Sequence, residues 1–259
     1  MSYRPFSDDT LFTSGGDCYP NTTNFSAAEI LFLCDEPTST TSGLVTSTIG
    51  DLVVTNATAT QLTRAADGTI QIKNSGGTAQ SINSITSGTF PSVTGKKLFM
   101  FMLAKPASGA AFILGKASGT LLATDKAIRM VAGGAVSQVA NGTAVQSTGP
   151  TLEAGDGSTY WAYGLTVEPT SATGFTGYSF DGTTLTTAAT VADLSSLADF
   201  DFDSELIQIS STMNPGMFGL MAFTTLPSAA EIKGFLAWSH SKFVNDIKKY
   251  IYPPFRRYS

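Results

Sequence analysis

The chain has 259 residues, 42% hydrophobic and only 14% charged, with a formal net charge of −5. That length accommodates one large all-β domain, and the apolar content with so weak a charge excludes an intrinsically disordered chain. The acidic balance also excludes a nucleic-acid binder, which needs Lys and Arg gathered over a whole face. Polarity comes from Ser, Thr, Gly, Asn and Gln instead, so the surface is expected to be neutral and rich in hydroxyls, fit to meet protein or sugar.

Residues 1–27 have no periodicity and carry Gly15, Gly16 and Pro20, which predicts an extended arm or long loop. Residues 1–10 contain no apolar core, so no secretory signal is expected. No later stretch approaches the roughly 20 apolar residues that cross a bilayer. The first firm apolar run is 28–34. Short apolar or alternating runs follow at 51–55, 69–73, 97–104, 110–114, 127–132, 160–167, 177–180, 205–210 and 217–224. Many short strands separated by regular turn signals predict an antiparallel sandwich or barrel. Asp67-Gly68, Asn141-Gly142 and Asp181-Gly182 each supply a dipeptide favoured by type I′ hairpin turns. At the third, Tyr178 and Phe180 share a strand face and Leu185 begins the return. The Gly-rich pieces Ala132-Gly133-Gly134 and Ser75-Gly76-Gly77 lack the strand-to-helix setting of a phosphate loop and read as turns.

The character changes at 227–249. Ser228 and Glu231 form a capping box behind Pro227. Ile232, Phe235, Leu236, Phe243 and Ile247 then recur at helical spacing. Lys248 and Lys249 suit the last turn, and Pro253-Pro254 forbids continuation. The chain therefore divides into an arm (1–27), a β-sandwich (28–226), a helix laid on it (227–249) and a basic, aromatic tail (250–259). No internal repeat or linker breaks it into a second domain.

The run Phe218-Gly219-Leu220-Met221-Ala222-Phe223, the Pro-Ser-Ala-Ala-Glu-Ile helix start, Phe235-Leu236-Ala237-Trp238 and the Tyr-Pro ending form a pattern. It resembles the C-terminal part of concanavalin A-like (laminin G-like) jelly-roll domains in virion proteins of tailed bacteriophages. The hairpin Tyr178-Ser179-Phe180-Asp181-Gly182 resembles the Tyr-x-Asp-Gly turn of such domains, with a Phe before the Asp. The resemblance covers roughly residues 28–253 and implies an antiparallel jelly-roll sandwich with one C-terminal amphipathic helix and extended terminal arms. The fold hosts lectins, glucanases and structural modules alike, so it does not choose among functions.

Candidate chemistry centres on Asp199, Asp201, Asp203 and Glu205, which alternate with Phe200 and Phe202 and share one face of an extended chain. Glucanases of the fold that the resemblance implies place paired acids on one strand, but their pattern begins with Glu where this one has Asp. The same four carboxylates are weak candidates for calcium, which takes six to eight oxygens. The third reading is a solvated edge strand whose like charges deter aggregation. Tyr160, Trp161, Tyr163 and Tyr178 are the candidate sugar-stacking rings, although strand alternation puts about half of them in the core. His240, the sole histidine, lies between two serines on the helix and reads as solvent-facing or interfacial. One His and two distant thiols cannot make a structural zinc site, and Cys18 with Cys34 reads as a pair of buried free thiols. The matches at Asn21, Asn24, Asn56 and Asn141 to the glycosylation pattern carry little weight in so Ser/Thr-rich a chain.

No catalytic set assembles, so the expectation is a non-enzymatic protein with no cofactor. The first reading is a virion structural protein (decoration, collar or tail subunit) contacting other virion proteins and copies of itself as a homo-oligomer. Residues 1–24 and Tyr250, Tyr252, Phe255, Arg256 and Arg257 are the candidate assembly contacts. The second is a glycan-binding adhesin. Neither calls for nucleic acid or membrane.

Overall fold

The computed structural model describes residues 28–34, 44–46, 53–55, 61–65, 67–73, 79–81, 85–86, 92–116, 120–146, 149–169, 171, 174–190, 194, 200–202 and 206–251. The predicted arm and the tail beyond 251 lie outside them, as do Cys18, Asn21, Asn24, Asn56 and 75–77. Cys34 lies in the first strand, with nothing described of its side chain.

Two antiparallel sheets face one another. The larger contains β2 (Leu44–Thr46), β3 (Val53–Thr55), β7 (Ile85–Thr86), β9 (Ala110–Leu114), β10 (Lys126–Ala132), β11 (Gln138–Asn141), β12 (Val145–Gln146) and β16 (Leu206–Ile209). Its order is β12-β11-β10-β9-β16-β7-β3-β2. The other holds β1 (Glu29–Cys34), β8 (Lys97–Ala104), β13 (Trp161–Val167), β14 (Phe175–Phe180), β15 (Leu185–Thr190) and β17 (Pro215–Phe223). It runs β1-β17-β8-β13-β14-β15. A small third sheet is formed by β4 (Gln61–Arg64), β5 (Ile70–Lys73) and β6 (Ala79–Ser81). One helix, α1 (Ala229–Ile251), closes the described chain. The result is an antiparallel jelly-roll sandwich with a single C-terminal helix.

The helix explains the most apolar strands. In β8, Leu98, Met100, Met102 and Ala104 point between the sheets, where they meet Phe112, Ile128, Met130 and Phe218. Phe99, Phe101 and Leu103 point the other way and meet Ile232, Phe235 and Leu236 of α1. A strand covered on both faces loses the apolar–polar alternation, and this one reads as an unbroken run. Gly164 of β13 makes room for that contact: a Cβ there would lie 2.7 Å from Phe99 Cε2.

The capping box forms as expected. Ser228 N donates to Glu231 Oε2 at 2.6 Å, and Glu231 N donates to Ser228 Oγ at 3.3 Å. Ser228→Ala should therefore cost about 1 kcal/mol in urea unfolding; an unchanged midpoint would show that the helix end is held by other means. The helix runs to Ile251 rather than 249, so Tyr250 belongs to it and not to the tail.

The three hairpin dipeptides do mark turns, but not of type I′. Gly68, Gly142 and Gly182 take φ of 84°, 89° and 98°, while Asn214 is the sole described non-glycine residue with positive φ. Type I′ needs positive φ at both central residues. Here the preceding side chain satisfies the loop instead. Asp181 Oδ1 accepts from Thr183 N at 2.7 Å and Thr184 N at 2.6 Å, and Asn141 Oδ1 accepts from Thr143 N and Ala144 N. These are Asx turns, in which the side chain imitates a backbone acceptor.

Candidate functional site

Of the acidic run, the structure describes Phe200, Asp201 and Phe202. Phe200 is buried, Phe202 packs against the same core, and their rings meet edge to face at 5.2 Å. Asp201, between them, turns back on the chain. Its Oδ2 accepts from Ser92 Oγ at 2.6 Å and Thr94 Oγ1 at 3.3 Å, and its Oδ1 from Val93 N at 3.1 Å and Phe202 N at 3.0 Å. Partial burial alone would raise its pKa, yet the bonds from Ser92, Val93, Phe202 and Thr94 together hold it below the usual carboxylate range. Asp201 thus latches the segment entering β8. Asp199, Asp203 and Glu205 lie outside the described residues, so the one-face acidic row is not assembled among the described ones. No group of three or more His, Cys, Asp or Glu side chains among these residues is placed to hold a metal ion.

The sugar-stacking set is corrected. Tyr160, Tyr163 and Tyr178 are buried, with Tyr163 wholly enclosed, and a ring so covered offers no face to a sugar. Alternation also divides the four. Tyr163 belongs to the core between the sheets, and half-buried Trp161 stacks on it at 6.1 Å. Tyr160 and Tyr178 belong to the cluster beneath α1. Tyr160 is further committed through its hydroxyl, which donates to the Asp67 carbonyl at 3.1 Å, and through Lys105 Nζ, 4.7 Å above the ring. Of the assembly candidates, Tyr250 falls in α1, and Tyr252, Phe255, Arg256 and Arg257 lie outside the described residues.

His240 is not solvent-facing. It is half-buried, its ring stands edge-on to Phe180 at 5.8 Å, and a Cβ on Gly182 would fall 2.7 Å from its Cε1. Nε2 lies 3.1 Å from the Tyr160 carbonyl oxygen. A carbonyl can only accept, so Nε2 carries the proton. Burial lowers its pKa, against the raising effects of that carbonyl and of Asp181. A histidine whose folded pKa is depressed contributes fully above its ordinary value of 6.5. Stability should therefore fall as pH drops below 6.5 toward the folded pKa, because the unfolded chain takes up the proton first. His240→Gln should flatten that part of the stability–pH curve. An unaltered slope would place the titration elsewhere.

A polar row that the sequence reading missed crosses the outer face of the larger sheet. Backbone register places Gln138 of β11 opposite Arg129 of β10, Arg129 opposite Ile113 of β9, and Ile113 opposite Gln208 of β16. Gln138 is buried, and its Oε1 accepts from Arg129 Nη1 at 3.2 Å and Leu121 N at 3.4 Å. Around Arg129 sit Ala111, Ile113, Ala127, Val131 and Ala140, all buried. Arg129 Nε is shielded from water with no hydrogen-bond partner, and no carboxylate among the described residues pairs with the guanidinium. Burial is the cause that lowers its pKa. The signal was present in Lys126-Ala-Ile-Arg-Met-Val-Ala132, where a lone cation interrupts one face of an otherwise apolar strand.

No family model matches the chain, and no curated protein does. Among solved structures, arcelin-5, a lectin-like defense protein from Phaseolus vulgaris, shares 10% identity at a TM-score of 0.39, covering 72% of this chain and 96% of its own. A protein of unknown function from Shewanella oneidensis MR-1 shares 14% at 0.33, covering 79% and 82%. The metal-free form of lectin I-B4 from Griffonia simplicifolia shares 13% at 0.30, covering 63% and 88%.

Proposed function

We propose that this chain is a non-enzymatic structural subunit of a tailed-phage particle, acting through contacts with other virion proteins and with copies of itself. The observation that carries the reading is the unit made by β17 and α1. The residues on which the phage resemblance rests, Phe218–Phe223 and Pro227–Trp238, form one packed strand–cap–helix element rather than scattered matches. Two groups with chemistry to offer, Asp201 and His240, support it by being spent on holding loops and helix in place. Quantitative mass spectrometry of purified particles tests it. The expected result is a copy number that is a multiple of the rotational symmetry at one level of the particle. Absence from the particle sinks the proposal.

A second reading, a carbohydrate-binding module, draws on half-buried Arg129 and Gln208, polar groups of the kind a saccharide meets, and not on Gln138, which is buried with its amide oxygen already taken. It does not draw on the tyrosines. A glycan array separates the readings: a specific hit favours the second, and none leaves the first.

A further inference from the structure

We infer that the outer edge of β15 pairs with β15 of a second copy of this chain, the two strands running antiparallel about a two-fold axis at Thr187. This deepens the structural reading and rests on its contact between copies.

β15 ends its sheet, and among the described residues no strand lies beyond it. The hairpin decides which of its backbone groups face outward. Asp181 N donates to the Thr184 carbonyl, which makes Asp181 and Thr184 a hydrogen-bonded pair. Bonded and non-bonded pairs alternate along an antiparallel ladder, and β14 and β15 keep an unbroken register. Thr186 and Ala188 are therefore bonded to β14, whereas Leu185, Thr187 and Ala189 turn their N–H and C=O groups away from it. Thr186 and Thr187 are exposed, and α1 lies chiefly over β13 and β14, inward of this edge.

The other edges are blunted in the ways that deter pairing. β1, at the opposite end of the same sheet, carries Glu29 and a bulge between Ile30 and Phe32. β12 and β2, which end the larger sheet, have two and three residues. In the small sheet β4 carries Arg64 and β6 has three residues. β15 has six, Leu-Thr-Thr-Ala-Ala-Thr, with no charge, proline, glycine or bulge.

A second copy is the occupant because this strand is its own complement. Laid antiparallel on itself, it sets Thr187 opposite Thr187 and Leu185 opposite Ala189, each pair exchanging both backbone bonds. No charge meets its like. The two-fold contact occupies both β15 edges, and with β1 blunted the assembly closes at two copies.

The test is sedimentation of the full chain, up to about 1 mM so that even a small interface associates, on the wild type, Thr187→Pro and Thr187→Val. The Thr187 N–H takes no part in the β14 ladder, so proline there removes only an outward donor; thermal melting checks that each variant folds. We expect a monomer–dimer equilibrium in the wild type, about tenfold or more weaker in Thr187→Pro and retained in Thr187→Val. Register is read by oxidising a mixture of Thr186→Cys and Ala188→Cys, which face one another across the pairing at a spacing a disulfide can bridge. The mixture should cross-link between positions 186 and 188, and neither variant alone should do so there. A wild type that stays monomeric overturns the inference and leaves the edge to a strand of another protein. So does a dimer that survives in Thr187→Pro, one lost equally in Thr187→Val, an oligomer that grows past two copies, or a mixture without the cross-link. A β15 dimer in a protein absent from particles sinks the virion reading alone; a particle subunit that is monomeric in solution sinks this inference alone.

Discussion

Phe235→Ala should destabilise the protein by about 3–5 kcal/mol, the range for emptying a buried phenylalanine site. Phe235 is the wedge of the helix. Its ring meets Phe101 at 4.9 Å and Phe99 at 5.7 Å, both nearly edge-on, and touches Trp238 at 5.9 Å. The partners on the sheet sit on a β-strand that cannot move toward the gap, because its other face is locked into the inter-sheet core. Poor relaxation puts the cost toward the upper end of that range. The two tryptophans divide the readout. Trp238 rides on α1, and Trp161 packs against the sandwich core. In urea unfolding of the variant, with each tryptophan in turn replaced by Phe, the Trp238 transition should come first and the Trp161 transition should shift less. Coincident transitions with a loss below about 1 kcal/mol would mean that α1 is not docked through Phe235.

Much of this was legible because burial leaves a mark on composition. The unbroken run of β8 announced a strand covered on both sides, and the Ser228–Glu231 spacing announced the helix start; both appear where expected. The strands that escaped were β2, β4, β6, β7, β11 and β12. They are only two to four residues long, and sequences such as Ala79-Gln-Ser81 resemble the loops of a chain this rich in Ser and Thr. Pairing, which is non-local, makes them strands.

The site was harder to read for a related reason. Alternation separates Tyr160 from Tyr163, three apart in one run, but it cannot say that a helix covers the face on which Tyr160 sits, so both rings are lost to the interior. Arg129 left only a faint local mark, one cation on a face of an otherwise apolar strand, and that mark names no partner. Its interest lies in register, which brings Gln138 and Gln208 into its row from strands before and after it in the sheet. A charge cluster is visible in one dimension, whereas a lone charge missing its counterion is visible only in three.

Asp201 is the reverse case, a carboxylate that looked functional and is held in place by its own fold. Four donors converge on it from Ser92, Val93, Thr94 and Phe202. Asp201→Ala strips them of their shared acceptor and should cost about 1–3 kcal/mol at neutral pH, the range for hydrogen bonds to a charged group with water able to replace some of them. The pH dependence follows from the direction of its shift. A carboxyl whose folded pKa lies below its ordinary 3.8 contributes fully above that value and loses its contribution as pH falls through the folded pKa. The wild-type advantage over Asp201→Ala, measured by urea unfolding from pH 7 downward, should therefore hold until about pH 4 and shrink below it. Calcium gives the opposing outcome a clear form. With its lone pairs taken by four donors, Asp201 has none to spare for a cation, and millimolar calcium should leave the melting temperature unchanged. A rise that Asp201→Ala abolishes would mean the donors turn away in solution, and the acidic run would regain its standing as a cation site.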